Sequence, residues 1–200
     1  MRDTERMTLF EAAASYLRLS EPWSDAVEAM EAASGHDVSS THTGGSSRIA
    51  LSGDDLVGTE RTEPLLDALR PRMSSMPWRQ NPTYTDEWFL GRYAYCELLG
   101  PNGLVPHTSA SIGLLYLAAG TMYPPHAHPA EEAYHLLAGV SEWQAAADVL
   151  TWRSPGDRME HPSGVSHAMR SGPTPMLALY VWRGDLITPA RFLPEPSAAE

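Results

Sequence analysis

Between Gly120 and Gly139 the chain reads GTMYPPHAHPAEEAYHLLAG, which gathers Tyr123, His126, His128, Glu132 and Tyr134 into twelve residues. Buried polar groups at this density cost free energy unless each finds a partner. Imidazoles and a carboxylate are natural partners of a metal ion. Side chains alternate faces along a strand, so His126 and His128 point one way together, as do Glu132 and Tyr134. A tight turn at Pro129–Glu131 can fold the second pair over the first. His167, further along the chain, can add a nitrogen from across a barrel. Three imidazoles and one carboxylate suit Zn²⁺, Fe²⁺, Mn²⁺, Co²⁺ or Ni²⁺, and do not suit Ca²⁺, which takes oxygen ligands.

The elements that must position these groups differ between the two halves of the chain. Residues 1–85 read as a helical segment. Thr8 and Glu11 form a capping box ahead of Leu9, Ala12, Ala13, Tyr16 and Leu17 at helical spacing. A second helix is expected from Pro22, with Trp23, Ala26, Val27 and Met30 on one face and Gly35 at its end. A third, EPLLDALR, opens at Pro64 and stops at Pro71. Residues 36–60 lack either period and are rich in Ser, Thr and Gly, which predicts a flexible lid or tether over the barrel mouth. From residue 86 to 200 the texture is of strands: short aromatic or β-branched runs separated by turns such as GPNG, SPGD and SGPTP. The fold class is therefore mainly β, a sandwich or barrel with an N-terminal helical segment.

Composition narrows the partners. The formal net charge is −11, from 25 acidic and 14 basic residues. Nucleic acid and anionic membranes need basic surface, so neither is an expected partner; a cationic or zwitterionic small molecule is compatible. Cys96 is the single cysteine, which excludes an intramolecular disulfide and a thiolate metal cluster. The acidic N-terminal stretch does not read as a signal peptide, and no apolar run reaches the roughly 20 residues of a membrane span. The expectation is a soluble, cytoplasmic protein.

Written as spacings, the polar cluster and a second run form a pair of motifs. Gly120, His126, His128, Glu132 and Gly139 make the first, and Gly156, Pro162, Gly164 and His167 the second, with sixteen residues between them. This pairing resembles the signature of the cupin superfamily, which implies a double-stranded β-helix, or jelly-roll barrel. Ser171 stands where the second motif usually ends in Asn, at a position that is structural in the family. Cupins include oxygenases, isomerases, epimerases and binding proteins, so the fold alone names no activity. The string YPPHAHPAEEAYHLLAG, preceded by a helical half, resembles the cupin-type dimethylsulfoniopropionate lyases, which cleave their substrate to acrylate and dimethyl sulfide.

That resemblance implies one divalent transition metal at His128, Glu132 and His167, with His126 at or beside the ion. It implies Tyr134 as catalytic base, with Tyr123 as a second acid/base or a substrate clamp. Trp182 is implied as a residue facing the sulfonium of a small zwitterionic substrate, since aromatic faces attract cations. Tyr180 shares its strand face and serves equally well as a cation-facing residue or a core aromatic. A homodimer is compatible with the superfamily. The alternatives are a metal-dependent oxygenase or isomerase acting on another small carboxylate, and a non-catalytic small-molecule sensor. His135 is expected to face away from Tyr134, and His161 to lie solvated in a turn. His36 and His42 fall in the polar loop. Trp23, Trp78 and Trp88 are expected to pack between helices and barrel.

Overall fold

The computed structural model describes residues 7–36, 46–146 and 148–193. Helix α1 (Leu9–Ser20) starts on the expected capping box: the Thr8 side chain accepts from the Glu11 amide and the Glu11 carboxylate accepts from the Thr8 amide. Caps of this kind contribute about 1 kcal/mol. Helix α2 (Ser24–Ala32) follows, and α3 (Glu63–Leu69) has Pro64 in its first turn and runs into a 3₁₀ turn at Arg70–Arg72. A one-turn helix, α4 (Glu87–Leu90), capped by Asp86, leads into the strands.

Eleven strands form two sheets among the described residues. They are β1 (Tyr93–Gly100), β2 (Val105–Pro106), β3 (Ser111–Leu117), β4 (Met122–Ala127), β5 (Glu131–Ala138) and β6 (Ser141–Ala145). β7 (Thr151–Arg153), β8 (Arg158–His161), β9 (His167–Ser171), β10 (Met176–Arg183) and β11 (Arg191–Phe192) complete the set. One sheet runs β2-β1-β3-β10-β5-β8 and the other β11-β4-β9-β6-β7. This is the cupin jelly roll, with an N-terminal helical layer, as the motifs implied.

The larger sheet is buried on both faces, which explains why MLALYVW reads as an unbroken apolar run. Leu177, Leu179 and Val181 of β10 pack outward with Leu114, Ala133 and Leu137 against the helices. Met176, Ala178 and Tyr180 point inward and join Leu115, Tyr134, Leu136, Trp143 and Met169 in the barrel core. Alternation along β10 thus serves two cores at once. Ser171 is structural here too: its hydroxyl donates to the Ala118 carbonyl at 2.6 Å and accepts from the Thr121 amide at 2.8 Å.

Two expectations change, at Trp88 and Tyr84, and the anticipated lid is described only in part. Residues 37–45 of the anticipated lid, including His42, lie outside the described residues. The remainder packs into the helical layer: Leu51 and Leu56 are buried, and the Leu56 carbonyl accepts from Arg70 at 3.0 Å. The apolar residues scattered through this Ser/Gly-rich stretch anchor it, and none of them borders the barrel cavity. Trp88 is 58% exposed instead of packed, because it lies on the outer side of α4, where the Arg92 guanidinium covers its ring at 4.8 Å. Trp23 and Trp78 are buried as expected. Tyr84, from the segment assigned to the helical half, belongs to the barrel core.

Candidate active site

The site grows from β4, β5, β9 and β10. Pairing of β5 with β8 and β10 sets Glu132 opposite His161 on one side and Trp182 on the other. A register shift at Pro124–Pro125 lets β4 pair His126 with His167 of β9. The prolines supply no amide hydrogen to a ladder, so the strand bends there. His128 follows directly after β4, on the turn that leads to Glu131.

His128, Glu132 and His167 converge. One ligand atom from each lies within 4.8 Å of the others, and all three residues are buried. Glu132 Oε2 is 2.9 Å from His128 Nε2 and 3.1 Å from His167 Nε2. The Nδ1 atoms are committed elsewhere: His128 donates to the Ala130 carbonyl at 3.1 Å and His167 to the Val165 carbonyl at 3.0 Å. Backbone bonds of this type fix the tautomer and turn the Nε2 lone pair toward the cluster. Two lone pairs and a carboxylate oxygen facing one point repel unless a cation or a proton lies between them. The Nε2 of His167 is buried without a hydrogen-bond partner. The donor set therefore fits a divalent transition ion. Without one, burial opposes charge on Glu132, but His128 and His167 hold its carboxyl well below the usual range. Burial likewise opposes protonation of His128, and the Glu132 carboxylate outweighs it, raising that imidazole.

His126 stands beside this group and outside its tightest set. It shares the same backbone habit, Nδ1 donating to the Pro124 carbonyl at 2.8 Å. Its ring stacks on Tyr123 at 3.8 Å and meets the His167 ring edge-on at 4.1 Å. Burial and the nearby His167 depress its pKa well below the ordinary value, so it stays neutral.

The aromatic residues divide by partner. Tyr134, two residues beyond Glu132 on β5, is buried with its ring 6.4 Å from that of His167 and 6.0 Å from that of His161; burial first, and then the Glu132 carboxylate, push its pKa well above the usual value in the ion-free chain. The Trp182 indole donates to Glu132 Oε1 at 2.5 Å while its ring lies 4.2 Å from that of His128. Tyr123 is buried, with its hydroxyl 2.6 Å from that of Tyr84. Tyr180 shares the inward face with Trp182 but reaches the other way, across β3: a Cβ at Gly113 would sit 2.5 Å from the Tyr180 hydroxyl. Tyr123, His126, His128, Glu132, Tyr134, Tyr180 and Trp182 all border one cavity of about 140 Å³. That is below the roughly 300–1,000 Å³ of drug-sized sites, and suits a small molecule.

The sequence reading missed several residues at this site. His161 is buried, not solvated: it sits on β8 opposite Glu132 and stacks on His167 at 4.2 Å, and burial followed by His167 pushes its pKa down to about 4. A strand as short as RMEH gives no apolar run by which to find it. Asn81, Pro82 and the Leu186–Ala190 segment border the cavity, and the Asn81 amide donates to the Ala190 carbonyl at 2.8 Å. Glu97 borders it too, and the odd-number phase it shares with Tyr93 and Tyr95 would have revealed it.

Comparison with known proteins agrees with this geometry. The family model for dimethylsulfoniopropionate lyase matches residues 48–178, a span that holds both histidine motifs and Tyr134. Dimethylsulfoniopropionate lyase DddQ of Ruegeria pomeroyi is 43% identical over 100 residues, covering 50% of this chain and 50% of that protein, so the chain spans about half the length of that curated relative. The crystal structure of the DddQ lyase from Ruegeria pomeroyi DSS-3 superposes with a TM-score of 0.64 at 35% identity, covering 70% of this chain and 71% of that one. A solved structure of the DMSP lyases RdDddP and RnDddQII reaches a TM-score of 0.73 over 93% of this chain and 96% of its own, and at 24% identity shows the shared fold. On the matched span and the site within it, the chain belongs to the dimethylsulfoniopropionate lyase family.

Proposed function

We propose that this protein is a metal-dependent carbon–sulfur lyase that cleaves dimethylsulfoniopropionate to acrylate and dimethyl sulfide by β-elimination. The observation that carries this reading is Tyr134 bordering a small cavity beside the His128/Glu132/His167 cluster, with its ring 6.4 Å from that of His167. A divalent ion held by those three residues, with His126 adjacent, would supply positive charge for the substrate carboxylate and would favour the ionised form of Tyr134.

The reaction needs removal of a proton from the carbon next to the carboxylate. That proton is weakly acidic because its loss adds charge to the carboxylate, so oriented positive charge and a positioned base are both required. Tyr134 takes the proton on its phenolic oxygen. The released electron pair forms the carbon–carbon double bond, and the carbon–sulfur bond breaks with its pair leaving on sulfur. No electron acceptor enters the balance. Tyr123, stacked on His126 and tied to Tyr84, clamps the substrate from the β4 side. Trp182 holds one oxygen of Glu132 and presents its ring to the cavity, where a sulfonium gains from an aromatic face.

The test is anaerobic incubation of the purified, metal-loaded protein with dimethylsulfoniopropionate. Dimethyl sulfide and acrylate released in equal amounts without oxygen support the lyase. Turnover that requires oxygen, or none with this substrate, would point to an oxygenase or isomerase of another small carboxylate.

A further inference from the structure

Glu97 is an acid where the barrel wall should be apolar. It lies on the inner face of β1 in phase with Tyr93 and Tyr95, and is only 9% exposed. The register shift between Glu97 and Leu99 breaks the alternation just beyond this side chain, so that Leu98 and Leu99 both join the outer core. A Cβ at Gly100 would fall 2.0 Å from Glu97 Oε1, so the glycine leaves the space that the carboxylate fills. Ser111 donates to Oε1 at 2.8 Å. Among the described residues no arginine pairs with it, and Arg79 acts only at longer range.

A buried carboxylate without a counter-ion is costly. Here its open side is the cavity, which it borders together with Tyr95, Ser111, Tyr180 and Trp182. The notch at Gly113 lets the Tyr180 phenol lie across β3 at the position paired with Glu97, so an aromatic ring lies beside the carboxylate. The Trp182 ring is 6.1 Å from that of Tyr180 and tilted to it by 57°. Two aromatic faces and an anion are what a cation without hydrogen-bond donors requires. Glu97 and Glu132 are on strands β1 and β5, three strand spacings apart, about 14 Å between backbones. The cavity thus has a histidine-rich pole and an anionic, aromatic pole.

We infer that Glu97, with the Tyr180 and Trp182 rings, forms an onium-binding subsite that receives the positively charged end of a small carboxylate ligand, a trialkylsulfonium or a quaternary ammonium. This deepens the lyase reading and rests on it for the choice of sulfonium. Burial pushes the Glu97 carboxyl above its ordinary pKa, with Ser111 and Asn102 opposing the shift; a cation in the cavity would favour the carboxylate further.

The experiment measures binding, using two ligands of one shape. Calorimetry on the metal-loaded protein compares 3-(trimethylammonio)propanoate with 4,4-dimethylpentanoate, the isostere that keeps the carboxylate and lacks the cationic centre. The wild type should bind the cationic ligand about tenfold or more tighter. Glu97→Gln should lose that preference and still bind the carboxylate that lacks the cation, which also reports an intact fold. Glu97→Asp, which retains the charge, should keep a preference. Equal affinities in the wild type, or an unchanged preference in Glu97→Gln, would overturn the subsite and leave the lyase reading standing. A wild type that selects the cationic ligand while releasing no dimethyl sulfide would support the subsite and sink the lyase.

Discussion

Glu132 and Trp182 face each other on adjacent strands, and the two oxygens of the carboxylate have separate partners. Oε1 accepts from the Trp182 indole at 2.5 Å, while Oε2 lies 2.9 Å from His128 Nε2 and 3.1 Å from His167 Nε2. The indole thereby fixes which oxygen turns to the imidazoles. Trp182→Phe keeps an aromatic ring at this position and removes the indole donor. Groups that orient a metal-binding side chain typically contribute about 10–100-fold in affinity. A chelator-competition titration should find a loss in that range, with the thermal unfolding midpoint of the metal-free protein little changed.

Removing the carboxylate itself should be more severe. In Glu132→Ala, two Nε2 atoms remain without their anion, and elemental analysis should find most of the metal gone from a wild-type stoichiometry near one per chain. Loss of dimethyl sulfide release should accompany it, and activity should return to the wild type, but not to the variant, when metal is restored after chelation. A metal-free wild type with full activity would end the metal reading.

Tyr134→Phe separates the base from the ring. The barrel packing of Tyr134 against Trp143, at 5.0 Å between ring centres, is retained, as are His128, Glu132 and His167. Metal content should stay near the wild-type value. Turnover should fall by about 10²–10⁴-fold, the usual contribution of a positioned base. Near-normal dimethyl sulfide release from this variant would exclude the proposed proton transfer.

A second buried network governs acid stability. Glu21 accepts from Arg158 Nη2 at 3.0 Å and from the Trp23 amide at 2.9 Å, and pairs with His135 Nε2 at 2.8 Å. Burial depresses His135, against the pull of Glu21. Burial acts to raise Glu21, but His135, Arg158 and the Trp23 amide outweigh it and lower the carboxyl. Both folded values lie below their unfolded ones. Each group therefore stabilises the fold above its unfolded pKa, about 6.5 for His and 4.3 for Glu, and that stability is lost as pH falls. Urea unfolding should show stability declining first below about pH 6.5 and again below about pH 4.5. Glu21→Gln should flatten the lower limb; an unaltered profile would show the network to be irrelevant to acid unfolding.

What could be read in advance followed from local rules. The capping box at Thr8 and Glu11, the alternation of β10, and the paired spacings around His128, Glu132 and His167 each depend on residues close in sequence. Side-chain phase also placed His135 away from Tyr134. The features that escaped depend on pairing between distant segments. His161 is buried only because β8 registers against Glu132, and the rim of the cavity joins Asn81 to Ala190, 109 residues apart. The packing of Leu51 and Leu56 escaped for a related reason: they are too sparse to show a period, yet the helical layer has a place for each.

The double burial of the larger sheet bears on where this chain can be cut. A change of texture near residue 86 invites truncation there, with the helices treated as an appendage. But Leu114, Leu137, Leu177, Leu179 and Val181 form the outer face that the helices cover. A chain begun at residue 86 would present that face to water as a broad sticky patch prone to self-association. It would also strand His135, one position from Tyr134 and facing the opposite way, without its Glu21 partner. Helices and barrel should therefore melt together as one unit across the change of texture near residue 86.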